Sequence, residues 1–389
     1  MSVVAWVVTV YAGIFCVVWC VIYLRAAHAL LSPPSFEEKT PPEPAPWPRL
    51  SIVIAACNEA DTIEDAMATL LKQDYPDLEI VLVDDRSTDG TGAIIDQMAQ
   101  ADPRIHPVHI KELPAGWLGK VHALHVAMQY AAGEWILFTD ADVHFCEGML
   151  RKAVAAAEAE GLDHLALLPR VRVDTFWLDV VMRAFAIMFF QTTRMAKIGK
   201  PGSDAFIGIG AFNLVRRSAF ERTEGFPWLR MEVADDVGLG MMLQRSGGRP
   251  GFAFALDSLS VTWQPSVRAM FRCMERISYH SFPRLIGSCV FIWAMFFAPV
   301  AAILSGVPWL WFPAIAAGSA TVAMALAWRS RLGHVRPRVL PSLLIPVGMM
   351  ILSIMVLRAV ILCKIRGGIV WRGTKYSIDE LRAGRRVVL

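Results

Sequence analysis

Long apolar stretches occupy both ends of this chain and enclose a more polar centre. Val3–Leu24 is a run of 22 residues without a charge, and three further stretches follow in the second half: Ile286–Ser305, Trp309–Trp328 and Val339–Cys363. About 20 apolar residues in a helix cross a bilayer core. The pattern predicts an N-terminal transmembrane anchor over residues 1–31 and C-terminal transmembrane segments over 286–363.

Charges beside the apolar stretches predict an orientation. Arg25 and His28 follow the first stretch and nothing positive precedes it. The positive-inside rule therefore places the N-terminus outside and the catalytic domain in the cytoplasm of an integral membrane protein. A signal peptide is the alternative, but neither a basic n-region nor a small-residue cleavage site is clear.

The last apolar stretch leaves a conflict. The loop Arg329–Arg338 holds four arginines, and the basic tail, residues 364–389, holds seven lysines and arginines. Both should lie on the cytosolic side, yet a single crossing between them forbids it. Pro341, Pro346 and Arg358 indicate a broken or re-entrant segment, and the sequence leaves the choice open.

Composition excludes several classes of protein. A formal net charge of +3 does not indicate a nucleic-acid-binding protein, which would carry a basic face. The seven cysteines form no CxxC pair, so neither a disulfide framework nor a zinc site is expected. Reduced cysteines fit a domain that faces the cytosol.

The centre of the chain has the pattern of an α/β domain. Residues 32–48 contain seven prolines and are predicted to form an extended linker. The catalytic domain, residues 49–285, then alternates short β-rich runs with helical periodicity, which predicts βαβ units and a mostly parallel sheet. The strands are predicted at Ser51–Ala55, Ile80–Val83 and Trp135–Thr139, and the helices at Thr62–Leu71, Thr91–Ala99 and Val121–Ala131.

Polar side chains follow two of the predicted strands. The run Leu50–Glu59 ends in Asn58 and Glu59, and the run Ile80–Gly90 contains Asp84 and Asp85. Ligands bind beyond the carboxyl ends of parallel strands, so these four side chains are candidates for a binding edge. The alternative is that the two aspartates open a turn and cap the next helix.

A third strand ends in an Asp-x-Asp motif. Asp140 and Asp142 point to the same side because strand side chains alternate. With a phosphate ligand, two such carboxylates suit Mg²⁺ or Mn²⁺. Lys120, ahead of this strand, can balance phosphate charge, although a solvated lysine at a helix start is nearly as good an explanation.

A fourth acidic motif, Glu232–Leu239, opens a predicted helix. Asp235 and Asp236 lie in its first turn, where carboxylates favour the helix dipole, so a capping role for Asp235 is the simple explanation. A carboxylate here can also act as the general base for an acceptor hydroxyl.

The order of these motifs resembles the family 2 glycosyltransferases, which have the GT-A (Rossmann-like) fold, over roughly residues 48–265. The resemblance implies a nucleotide-sugar donor, and it implies that Asp236 is the catalytic base beside Asp235. It also implies Asp142 on a divalent metal. The nucleotide-sugar-binding residues that it implies, together with the polar candidates above, are Ala55, Asn58, Glu59, Asp85, Lys120 and Asp140.

The acceptor side has its own signals. The segment from Gly208 to Gly210 looks like the family's acceptor-side loop, where glycines permit close approach. The ending from Trp371 to Tyr376 is similar to the W-x-G-x-x-Y of bacterial enzymes that glycosylate carotenoid or hopanoid-type lipids. The Q-x-x-R-W box of processive polysaccharide synthases is missing.

These features predict an inverting transfer from a nucleotide sugar, UDP-linked by the resemblance, to a membrane lipid hydroxyl. The apolar stretch Trp177–Phe190 is predicted to be an interfacial helix bordering the acceptor route together with Phe271–Phe282. A buried core helix is the alternative for the first stretch. Three other functions remain open: a polyprenyl-phosphate glycosyltransferase, a processive synthase, and a membrane scaffold with a degenerate domain.

Overall fold

The computed structural model describes residues 3–277, 282–336 and 338–387. These residues group into two compact units, which are treated separately below. We call the first the helical unit, which comprises Met1–Ser32, Val173–Ala196 and Gln264–Ile378. The second, the sheet unit, comprises Pro33–Arg172, Lys197–Trp263 and Asp379–Leu389.

In the described residues, eight strands form one sheet in the sheet unit and two form a hairpin in the helical unit. The eight strands have the order β3-β2-β1-β4-β7-β6-β8-β5. The strands are β1 (Leu50–Ala56), β2 (Leu78–Asp85), β3 (Ile105–Ile110), β4 (Trp135–Asp140), β5 (His144–Phe145), β6 (His164–Val171), β7 (Asn213–Arg216), β8 (Pro250–Val261), β9 (Gly368–Trp371) and β10 (Thr374–Ser377).

The helices of both units follow in chain order. They are α1 (Val3–Leu31), α2 (Ile63–Leu71), α3 (Thr91–Ala101), α4 (Gly119–Ala127), α5 (Met149–Ala159), α6 (Phe176–Thr193), α7 (Arg217–Phe220), α8 (Phe226–Leu229), α9 (Asp235–Arg245), α10 (Val267–Met274), α11 (Phe282–Leu304), α12 (Trp311–Leu332), α13 (Leu340–Leu343), α14 (Ile345–Arg366) and α15 (Ile378–Gly384).

The first half of the sheet is parallel. Strands β3, β2, β1 and β4 pair in parallel, and β2 is buried along its whole length. Parallel strands that are covered on both faces read as near-continuous apolar runs, as β1, β2 and β4 do up to their polar ends. Strand β7 then pairs antiparallel with β4 and with β6, and β6 pairs in parallel with β8. The predicted α/β class with a mostly parallel sheet is confirmed.

The proline-rich segment is extended and docks on the sheet unit. Phe36 is buried, and its backbone N–H donates to the carbonyl of Phe254 on β8 at 2.7 Å. The carboxylate of Glu37 accepts the backbone N–H groups of Asp257 and Ser258. The prolines predict the extended backbone, but one buried ring and one carboxylate attach the segment to the sheet.

Within the part of the chain that the structure describes, four helices are long and apolar enough to cross a membrane: Ala5–Leu31, Phe282–Leu304, Pro308–Leu332 and Ile345–Arg366. They correspond to the four apolar stretches of the sequence. These helices are consistent with membrane association. Their assignment as possible membrane spans rests on length and composition alone.

The predicted interfacial helix is α6, which extends beyond Trp177–Phe190 at both ends. Its Asp179 and Arg183 are buried and form a two-bond ion pair, with both distances 2.9 Å. Trp177 is exposed whereas Phe190 is buried. Much of the helix therefore packs inside the helical unit. Residues 278–281 of the second predicted bordering stretch lie outside the described residues.

Candidate active site

The carboxyl ends of three strands meet at one edge of the sheet. Ala55 of β1 pairs with Asp140 of β4, and Ala56 pairs with Asp84 of β2. Asp85 is the last residue of β2. The register therefore brings these predicted positions side by side, at the edge where ligands bind in open parallel sheets.

Lys120 connects two of the acidic motifs. Its Nζ lies 2.8 Å from an oxygen of Asp140 and 3.3 Å from an oxygen of Asp235. Lys120, Asp140, Asp235, Asp236 and Gly210 line one cavity, whose apolar wall includes Leu124, Phe138, Phe226 and Leu239. Asp140 and Asp235 are 95 residues apart in the sequence, and one cation joins their two motifs.

The loop Gly208–Gly210 connects Asp236 to Asp140. The backbone N–H of Gly210 donates to Asp236 at 2.8 Å, and the Gly210 carbonyl accepts the backbone N–H of Asp140 at 3.1 Å. A Cβ on Gly208 would overlap the carbonyl of Asp236. Glycine is therefore needed there so that α9 can approach the loop closely.

The second oxygen of Asp236 accepts the backbone N–H of Val237 at 2.8 Å. Both carboxylate oxygens are thus fixed by N–H groups. This carboxylate lies on the same side of the sheet as Asp140, because Gly210 bonds to both residues. Asp140 and Asp236 therefore line the same cavity.

Burial and mutual repulsion raise the pKa values of acidic side chains in the site. Burial raises the pKa of Asp142 to about 7, and the nearby charges of Asp140 and Glu59 add to the rise. Burial also raises the pKa of Asp235 and of Asp236, while the charge of Lys120 opposes both shifts. Burial alone would lower the pKa of Lys120, but the surrounding carboxylates raise it. Lys120 is therefore the permanent cation of the site.

Some predicted donor-binding residues also hold the loops together. The side-chain oxygen of Asn58 accepts the backbone N–H of Thr88 at 2.8 Å, and the backbone N–H of Glu59 donates to Thr91 at 2.9 Å. Asn58 has a positive φ of 56°, which asparagine tolerates better than most residues. These bonds tie the end of β1 to the loop after β2, and a donor contact of Asn58 stays a prediction.

Two residues beside the predicted site were given no role of their own by the sequence. The guanidinium of Arg86 pairs with Asp85 at 2.7 and 3.0 Å, so Asp85 is not a lone carboxylate. Glu232 is buried and accepts the backbone N–H groups of Ala234, Arg386 and Val387. Its position three residues before Asp235 was the available signal, but its partners at the end of the chain could not be read from the pattern.

Trp371 and Tyr376 lie in the β9–β10 hairpin of the helical unit. Arg276 lies 5.2 Å from the centre of the Trp371 ring, and Tyr376 is buried. Both have structural contacts within that unit. Their predicted acceptor role stays a prediction.

The residues fit a divalent cation without forming a complete cage. Among residues 3–277, 282–336 and 338–387, no three His, Cys, Asp or Glu side chains are grouped so that they could hold a metal ion. Asp142 and Asp140 provide hard oxygen donors, and Mg²⁺ is commonly bound by one or two carboxylates together with substrate phosphates. A site completed by a diphosphate suits this donor set.

Comparison with known proteins identifies the class of domain. Residues 51–223 match the family model described as glycosyl transferase family 2. This part of the chain is therefore a family 2 glycosyltransferase domain, which confirms the resemblance drawn from the motifs.

Two curated relatives illustrate the similarity. The beta-monoglucosyldiacylglycerol synthase of Synechocystis is 27% identical over 237 residues, which are 58% of this chain and 48% of that protein. The GalNAc(5)-diNAcBac-PP-undecaprenol beta-1,3-glucosyltransferase of Campylobacter jejuni is 29% identical over 118 residues, which are 30% of this chain and 37% of that protein. The chain thus spans less than half the length of these relatives.

A solved structure supports the fold. The mannosyltransferase PcManGT from Pyrobaculum calidifontis, in complex with GDP-Man and Mn²⁺, is 21% identical and has a TM-score of 0.53. The match covers 90% of this chain and 99% of that one. The sheet unit has the GT-A fold.

Replacement of Lys120 by methionine tests the charge balance. Removing one partner of a fully buried ion pair costs about 3–5 kcal/mol, whereas exposed pairs contribute about 0–1 kcal/mol. The Lys120 side chain is 26% exposed, so we expect a loss of about 1–3 kcal/mol in the free energy of unfolding. Thermal unfolding in detergent measures it, with Lys111→Met on the surface as the control. Equal stability of the two variants would contradict the bridging role.

Proposed function

We propose that the protein is an inverting glycosyltransferase that moves a sugar from a nucleotide-sugar donor, UDP-linked, to a hydroxyl of a membrane lipid. The observation that carries the proposal is the convergence of Asp140, Lys120 and Asp236 on one cavity at the carboxyl edge of the sheet. The family 2 domain supports the reaction class.

Asp236 has the features of a general base. One of its oxygens is held by the N–H of Gly210, so the carboxylate is fixed before an acceptor arrives. Burial raises its pKa, which brings the group closer to the range in which a base works well. In the proposed reaction it takes the proton of the acceptor hydroxyl as the oxygen attacks the anomeric carbon. Direct attack with one displacement inverts that centre.

Lys120 and the Asp-x-Asp motif serve the donor. Asp140 is held by Lys120 and by the backbone of the Gly210 loop, which leaves it oriented towards the cavity. Asp142, with Asp140, would hold Mg²⁺ or Mn²⁺. When bound, the cation would neutralise the negative charge of the departing diphosphate. The PcManGT complex contains Mn²⁺, which supports this choice by analogy of fold.

A lipid acceptor and a cytoplasmic catalytic domain complete the proposal. The names of both curated relatives refer to lipid-linked acceptors, a diacylglycerol and an undecaprenol diphosphate. Membrane-spanning helices would keep such an acceptor near the enzyme. The undecaprenol-linked relative favours a second candidate, transfer onto a polyprenyl-linked acceptor.

Replacement of Asp236 by asparagine should nearly abolish transfer. General-base catalysis is typically worth about 10²–10⁴-fold, so we expect kcat to fall by about that factor while the donor KM changes little. The measurement is sugar transfer from UDP-sugars to extracted membrane lipids. Asp77→Asn is the matched control, because Asp77 precedes β2 at the opposite edge of the sheet. Undiminished kcat in D236N would remove Asp236 from the mechanism.

Activity should depend on a divalent cation. Excess EDTA is expected to reduce transfer to background because the diphosphate charge would then lack its counter-ion. Restoring Mn²⁺ or Mg²⁺ in separate assays should recover activity and rank the two metals. Full turnover in EDTA would show that Lys120 alone suffices.

The acceptor should be a lipid. Transfer to lipid in detergent micelles should exceed transfer to soluble sugars, and Trp177→Ser should raise the KM for the lipid a few-fold without changing the KM for the donor. Trp177 is more informative than Phe190, since its ring is 52% exposed and its loss leaves packing intact. Tyr130→Ser, exposed on the sheet unit, is the control. Preference for a soluble sugar, with W177S unimpaired, would contradict the proposal.

A further inference from the structure

The directions of α1 and α11 follow from contacts between them. The hydroxyl of Tyr11 donates to the carbonyl of Ala294 at 2.5 Å, and the ring of Phe15 lies 5.7 Å from that of Phe291. Residue numbers rise along α1 as they fall along α11. The two helices are therefore antiparallel.

Helix α12 runs parallel to α1. Ala12 and Ala314 belong to one buried cluster, and the indole N–H of Trp19 donates to the hydroxyl of Thr321 at 3.0 Å. Residue numbers rise together along both helices. The end of α1, the start of α11 and the end of α12 consequently lie at one end of this three-helix bundle, which we call the proximal end.

The segment that leads into α14 lies at the proximal end. Arg336 contacts Asp179 at 3.4 Å, and the hydroxyl of Ser342 accepts a hydrogen bond from Arg183. The guanidinium of Arg183 lies 5.0 Å from the ring centre of Trp328, only four residues before the end of α12. The chain therefore does not travel to the far end of the bundle before α14 begins.

The other end of α14 is at the proximal end as well. Arg358 and Arg366 both pair with Glu275, at 2.7 and 2.8 Å. The Nζ of Lys364, near the end of α14, lies 4.1 Å from the ring centre of Phe282, the first residue of α11. The end of α14 therefore lies beside the start of α11.

The middle of α14 reaches part of the way into the bundle. The indole N–H of Trp293 donates to the hydroxyl of Ser353 at 2.7 Å. Trp293 lies eleven residues into α11, about 16 Å at the helical rise of 1.5 Å per residue. This is roughly half the thickness of a hydrocarbon core of about 30 Å.

We infer that α14 is embedded along one leaflet of the membrane and does not cross it, so that α1, α11 and α12 make the three crossings. A helix whose two ends lie on one side does not traverse the bilayer, however apolar it is. Three crossings also place the loop Arg329–Arg338 and the tail from Lys364 on the same side, as the positive-inside rule requires. The conflict in the sequence is thereby resolved.

The end of the chain agrees with this topology. Arg386 and Val387 donate their backbone N–H groups to Glu232, and both belong to the sheet unit with Pro33–Arg172. A compact unit cannot straddle a bilayer. The chain that leaves α1 and the chain that follows α14 therefore emerge on the same side.

The surface beside α14 suits the phosphates of lipid head groups. Arg268, Arg272 and Arg358 line a cavity together with Val267 and Phe271, and the one carboxylate paired with this group is Glu275 among the described residues. Guanidinium groups bind phosphate through paired hydrogen bonds, and an arginine at membrane depth is stable when it reaches the interface. We assign this cavity to the head group of an anionic phospholipid in the same leaflet.

Tags at the two termini of the full chain test the topology. With three crossings, an epitope before Met1 and an epitope after Leu389 lie on opposite sides of sealed vesicles, whereas four crossings place them on one side. A protease site inserted after Gly306 should be cleaved from the side of the N-terminal tag. Antibody access and cleavage are measured before and after permeabilisation.

Termini on the same side would overturn the inference, as would a Gly306 site on the side of the C-terminus. The readout does not use enzymatic activity, so D236N should have the same topology as the native chain. Failure of the proposed function and failure of this inference are therefore distinguishable.

The head-group assignment has a separate test. The protein in nanodiscs of phosphatidylcholine should gain thermal stability when an anionic phospholipid is added, and the double variant R268Q/R272Q should lose most of that gain. Arg222→Gln, on the sheet unit, is the matched control. Equal stabilisation by inorganic phosphate, or an undiminished gain in the double variant, would overturn the assignment of the cavity to lipid.

Discussion

The bridge from Lys120 to Asp140 and Asp235 is the interaction on which the site depends. Three carboxylates close together and partly or wholly out of water would repel one another, and burial already raises the pKa of two of them. One ammonium between them opposes this rise and favours the charged form of both acids. The same cation ties β4 to α9, and so it joins the Asp-x-Asp motif to the helix that begins with Asp235 and Asp236.

The ends of the strands could be predicted because a buried strand is apolar and the residues that follow it are polar. A strand covered on both faces is apolar throughout, so the first acids after it mark the edge of the sheet. This argument found Asp85 and Asp140 and the strands β1, β2 and β4. It did not find β3, whose exposed His106, Pro107 and His109 suit an edge strand. Nor did it find the partners of Arg86 and Glu232, which are fixed by the folded chain. The roles of the site residues remain predictions, since geometry alone does not report chemistry.

Apolar length was a poorer guide to the membrane part. Hydropathy treats α14 like α1, because both contain enough apolar residues to cross a bilayer. The two helices differ in their polar contacts. Glu275 pairs with Arg358 and Arg366 of α14, and Arg183 donates a hydrogen bond to Ser342, just before α14 begins. Such pairs are separated by up to about 160 residues and leave no periodicity. The sequence did contain two signs that one apolar helix was different: the conflict of charges, and the presence of Pro341, Pro346 and Arg358 in that stretch.

Glycines in the Gly208–Gly210 loop and in α9 allow these two segments to pack closely. A Cβ at Gly208 would overlap the Asp236 carbonyl, and one at Gly240 would overlap the carbonyl of Ile207. The loop and the helix thus approach each other backbone to backbone, which allows a main-chain N–H to reach the carboxylate of Asp236. A side-chain donor in that place would have to be ordered at an entropic cost, whereas the main chain is already fixed. The carboxylate of Asp236 is therefore positioned by the fold itself, and Glu232 extends this arrangement by attaching the start of α9 to Arg386 and Val387.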